Sequence, residues 1–124
     1  MVDPKNGFCG DISSMKSTPK PPRTYQAFVK RYPKMGRAWE CVAEAGREGP
    51  LDEKSIRLVK LALAVGALRQ GAVHASVRRA LAMGISRAEI EQVVVLAAGT
   101  IGLPATVAIF SWVQDEFAKA EKKR

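Results

Sequence analysis

The sequence predicts an all-α protein of about six helices. Apolar residues recur at helical spacing from Thr24 almost to the C-terminus. No segment alternates apolar and polar with period two, so no sheet is expected. Glycines, prolines and a capping box divide the chain into helix-length pieces. At 124 residues the chain suits one domain with a substantial core. Its 47 % apolar and 26 % charged composition is that of a globular protein, which excludes a disordered or low-complexity chain.

Residues 1–22 hold Pro4, Gly7, Gly10, three serines, Pro19, Pro21 and Pro22, and are expected to form a flexible basic arm. The helical domain is expected over 23–124. Tyr25, Phe28, Val29 and Tyr32 share one face of a short first helix. Pro33 suits the first turn of a second helix, whose apolar positions are Met35, Trp39, Val42 and Ala43, with Gly46 as its stop signal. Leu51-Asp52 opens a third, mostly buried helix through Ile56, Val59, Leu63 and Gly66. A break is expected from Arg69 to Gly71. The fourth helix carries Val73, Val77, Ala80 and Leu81 and ends at Gly84. Ser86-x-x-Glu89 is a capping box directly before Ile90, Val93, Val94 and Ala97. A turn is expected from Gly99 to Pro104, followed by a last helix that turns Ile109, Phe110, Val113 and Phe117 inward.

The net charge of +8 is unevenly placed. Residues 1–37 carry eight Lys/Arg against Asp3 and Asp11, a local +6. The arm could touch phosphates, but no aromatic or glycine pattern of a nucleic-acid module accompanies it, so nucleic acid is not the expected partner. Gln92 to Gln114 is uncharged and long enough to span a bilayer. Gly99, Gly102 and Pro104 interrupt it and its flanks are acidic, so two buried helices and a turn are expected instead, with no membrane partner. The N-terminus lacks an apolar run of signal-peptide length, which suggests a cytoplasmic protein. Two cysteines are too few for a disulfide scaffold; Cys41 is read as a buried free thiol and Cys9 as incidental, the competing reading being a Cys9–Cys41 redox pair that requires the arm to fold back.

Three stretches carry a family likeness: Leu51-Asp-Glu-Lys-Ser-Ile-Arg-Leu-Val-Lys-Leu-Ala, Gly71-Ala-Val-His-Ala-Ser-Val-Arg-Arg-Ala-Leu-Ala-Met-Gly84, and Ser86-Arg-Ala-Glu-Ile90. They resemble the carboxymuconolactone decarboxylase family, which includes the AhpD-like alkylhydroperoxidases. The likeness covers roughly residues 33–117. It implies an AhpD-like helical bundle that assembles as a trimer or hexamer, with a pocket between helices near a subunit boundary. Peroxidase members of the family use a Cys-x-x-Cys, a histidine and an upstream glutamate. Aligned between Leu51-Asp52 and Gly84, those positions hold Arg69 and Ala72, Ser76, and Arg57. The resemblance therefore implies the fold without the redox thiols. The decarboxylase branch also lacks the cysteine pair, but it uses a histidine where Ser76 stands.

Arg57, Ser76 and His74 are the candidate catalytic residues. Arg69, Ala72, Trp39 and Thr100 are the candidate ligand-binding residues. Ala72, Val73, Ser76, Ala80 and Met83 share a small-residue face, with Arg69 near its start and Arg57 approaching from the preceding helix. Two guanidinium groups and a hydroxyl suit a carboxylate or other anion. The competing reading turns both arginines to solvent or pairs them with Glu53 or Glu40. His74 is the only histidine and lies on the opposite face from Ser76, which speaks against a Ser–His pair within one chain. A structural role for His74, at a helix or subunit contact, is the competing reading. The Arg78-Arg79 pair is read as a solvated edge. No Cys/His/Asp cluster suggests a metal, and no cofactor is expected. The leading expectation is a lyase or binding protein for a small carboxylate or lactone. A hydroperoxidase and a non-catalytic oligomeric scaffold are the alternatives.

Overall fold

The computed structural model describes residues 22–123. The expected arm therefore lies outside the described residues, apart from Pro22. Six helices are present among the described residues, and no strand: α1 (Arg23–Arg31), α2 (Pro33–Arg47), α3 (Glu53–Gly66), α4 (Gln70–Ala82), α5 (Arg87–Ile101) and α6 (Leu103–Lys122). The chain divides into two compact units between Leu51 and Asp52.

In the first unit α1 and α2 pack on each other. Pro33 opens α2 at its first turn, where a missing N–H costs nothing. Gly36 comes so close to α1 that an added Cβ would sit 3.2 Å from the Val29 Cβ. Neither helix contains a buried residue. Gly46 does not end α2, which runs on to Arg47. A helical glycine costs only about 1 kcal/mol relative to alanine, so it weakens a helix without breaking it.

In the second unit α3 packs on α4 and α5, and α6 packs on α4 and α5. Leu61, Val73, Val77, Ile90, Ile109 and Val113 are fully enclosed between them. Asp52 caps α3 by accepting from the Ser55 N–H at 2.8 Å. Gly84, at φ 84°, turns the chain out of α4 in a conformation that glycine adopts freely. Leu68, at φ 57°, makes the corresponding turn after α3 with a side chain that resists it.

Further expectations need correction: Phe110, expected to turn inward, is exposed on α6, while Ile109, Val113 and Phe117 are buried. The turn placed at Gly99–Pro104 shrinks to Gly102: α5 continues through Gly99 and Thr100 to Ile101, and α6 begins at Leu103. Gly102 adopts φ 86°, and Pro104 sits in the first turn of α6, where it needs no hydrogen-bond partner. The Thr106 hydroxyl donates to the Gly102 carbonyl at 2.8 Å. In addition, α3 is not mostly buried. Leu61, Ala64 and Val65 are covered, while Val59 and Leu63 are exposed. The same holds for α5, where Val94 is enclosed and Val95 and Leu96 are not. No helix among the described residues is long and apolar enough to cross a membrane.

The capping box at Ser86 forms as expected. The Glu89 N–H donates to the Ser86 hydroxyl at 3.1 Å, and the Ser86 N–H donates to the Glu89 carboxylate at 3.2 Å. Lys54 of α3 reaches the same carboxylate. The Lys54 ammonium first, then the Ser86 backbone and hydroxyl, hold the Glu89 carboxyl down at about 2. A carboxyl depressed by folding adds stability above its ordinary value of 4.5, and that contribution fades as pH falls through about 2. An NMR titration should place the Glu89 midpoint near 2, moving toward 4.5 in Lys54→Met. An unmoved midpoint would remove Lys54 from this account.

Candidate functional site

Two groups of buried and half-buried polar side chains include residues of α4. On the α6 side, Glu116 is the largest buried polar side chain, at 2 % exposure. It lies on the same face of α6 as Ile109 and Val113, so its carboxylate is carried into the core with them. Burying that charge requires partners. The His74 Nδ1 donates to Glu116 Oε2 at 2.6 Å, and the Arg78 guanidinium donates to the same oxygen at 3.1 Å. Lys119 adds its ammonium at 3.6 Å. His74 and Arg78 stand one turn apart on α4, so a single face presents both. Trp112, half-buried on α6, stacks on the imidazole with ring centroids 6.5 Å apart.

This geometry fixes the chemistry of His74. A carboxylate oxygen accepts, so Nδ1 carries the hydrogen and Nε2 is the basic atom. The side chain keeps 17 % of its surface exposed, which leaves a route for a small molecule. With the imidazole neutral, the two cations Arg78 and Lys119 outnumber the one carboxylate. The cluster therefore attracts anions. Arg78 is not merely a solvated edge: its side chain is 41 % exposed, and its guanidinium donates to a buried acid.

On the α3 side stand Ser76, buried, and Arg79, half-buried, one turn apart. Arg57 of α3 is half-buried, and its Nε is buried without a hydrogen-bond partner. Neither Glu53 nor Glu40 forms a salt bridge with it. Burial first, and then the Arg79 charge, push the Arg57 guanidinium below its ordinary value.

The other candidates are more scattered. Arg69 is exposed as the N-cap residue of α4, and Ala72 is exposed within its first turn. Trp39 is exposed on α2. Thr100 lines an open cavity of about 560 Å³ between α3 and α5, with Leu58, Val59, Ala62, Val93 and Leu96. Cys41 is half-buried and disulfide-bonded, which overturns its reading as a free buried thiol; Cys9 lies outside the described residues. No group of three His, Cys, Asp or Glu among the described residues could hold a metal ion.

The sequence reading missed Glu116. The signal was present: an acid at i+7 and i+3 from Ile109 and Val113 on the inward face of the last helix, with an i, i+4 His–Arg pair on the fourth.

The family model for the carboxymuconolactone decarboxylase family matches residues 33–115. No curated protein and no solved structure matches the chain.

Proposed function

Because the chain belongs to the carboxymuconolactone decarboxylase family, we propose that it is a lyase-type or small-molecule-binding member acting on a small carboxylate or lactone. The observation that carries this reading is the His74–Glu116 pair. A histidine whose Nδ1 is held at 2.6 Å by a buried carboxylate has a fixed tautomer and a fixed ring. Its Nε2 can take a proton from a bound ligand, and Glu116 stabilises the imidazolium that forms. Arg78 and Lys119 bias the site toward an anionic ligand. His74 is the catalytic residue of this reading, and Glu116 is its positioning residue.

A panel of small carboxylates and lactones, scored by thermal shift and by turnover on the full chain, tests it. The expected result is a hit whose turnover falls about 100-fold or more in His74→Gln, the usual scale of a general base. Glu116→Gln should keep binding but move the pH profile of turnover. A hit with turnover unchanged in His74→Gln would overturn the reading. The panel includes a hydroperoxide with a dithiol donor. Turnover there that depends on Cys41 would replace the lyase reading with the peroxidase one.

The exposed apolar side chains Leu63, Val95 and Leu96 support a homo-oligomer of the family's kind.

A further inference from the structure

We propose that Arg57 and Arg79 together form an anion-binding site between α3 and α4 that takes a small carboxylate. It is separate from His74, which faces α6. Three observations converge. First, the two guanidinium groups are close enough that the charge of Arg79 weighs on Arg57. Second, neither arginine forms a salt bridge or a side-chain hydrogen bond with any described residue. Third, the Nε–H of Arg57 is buried with no acceptor at all.

Like charges brought together and half desolvated are unfavourable unless something neutral or negative joins them. Arginines elsewhere in the same unit meet this need. Arg78 bonds Glu116, and Arg87 bonds Glu121 at 2.6 Å while lying over the Phe117 ring. Arg57 and Arg79, both half-buried, have no such partner; Arg69, also unpaired, is exposed to solvent. An unused Nε–H also specifies the shape of the missing partner. The Nε and one terminal nitrogen present two parallel donors, the spacing of two oxygens on one carboxylate. Arg79 would contribute its charge from α4, one turn beyond the buried Ser76. Because both arginines are only half-buried, the outer part of the site is open to solvent.

Acetate, malonate and inorganic phosphate, each titrated against chloride at constant ionic strength, test the site on the full chain. In chloride, Arg79→Gln removes the like charge and should melt above the wild type. Acetate or malonate should then raise the melting temperature of the wild type saturably, and the Arg57 Nε–H resonance should move with the same midpoint. In Arg79→Gln the carboxylate affinity should fall about tenfold or more, the scale of one charge-assisted contact. Arg57→Lys keeps the charge but loses the fork, and should lose affinity likewise. Phosphate binding with carboxylates inert would replace the proposed ligand class. An unmoved Nε–H resonance, or equal carboxylate affinity in wild type and Arg79→Gln, would overturn the site. The resonance is read in the unmutated protein, so a misfolded variant cannot mask the outcome.

Discussion

Replacing His74 and Arg78 together by alanine should lower the unfolding free energy by about 3–5 kcal/mol, since it strands a buried carboxylate. Glu116 keeps only Lys119, whose ammonium is 3.6 Å away and 64 % exposed, and therefore screened by solvent. That residual attraction places the loss toward the lower end of the range. Adding Glu116→Leu should restore most of the stability, because an apolar side chain suits the space among Ile109, Val113 and Phe117. Urea denaturation of the double and triple variants measures both effects. A double variant within about 1 kcal/mol of wild type would show that Glu116 does not depend on these partners.

The helices were largely legible in the sequence because their signals are local. Pro33, Asp52, Gly84 and the Ser86/Glu89 box each act within one turn, and each appears where its residues place it. Gly99 misled because a glycine inside a helix and a glycine ending one look alike in sequence; Pro104 is what moves the break to Gly102. The site was less legible because its contacts are distant along the chain. His74 and Glu116 lie 42 residues apart, and Asp115-Glu116 reads locally as an acidic flank. The set Arg57, Arg69 and Ser76 combines a residue of α3 with two expected along one face of α4. However, Arg69 falls at the helix cap, and Arg79, dismissed as surface, shares that face with Ser76.

Leu61 and Leu63 offer the second large effect, because two leucines two positions apart on α3 have opposite surroundings. Leu61 is fully enclosed, whereas Leu63 is 67 % exposed. Leu61→Ala should cost about 2–5 kcal/mol, from lost burial plus the cavity left among rigid neighbours. In a monomer, Leu63→Ala should change stability by no more than about 0.5 kcal/mol. If the chain self-associates through this face, Leu63→Ala and Leu96→Ala should weaken the assembly in sedimentation while leaving dilute-protein stability intact. An assembly indifferent to both would place the subunit contact elsewhere.

Gly102 joins α5 to α6 with a single residue outside either helix. The apolar stretches of α5 and α6 are therefore neighbours along the chain as well as in space. Little chain entropy opposes their meeting, since the closing loop is as short as a loop can be. The other pairings of the second unit join helices that are adjacent or one helix apart in chain order. Such topologies have low contact order, and they reach the native state in microseconds to milliseconds rather than seconds. The short connection predicts that the acid on α6 enters a hairpin before its histidine on α4 docks. Until α4 docks, Glu116 can stay hydrated, so the desolvation of its charge falls late in folding, together with the pairing that compensates it.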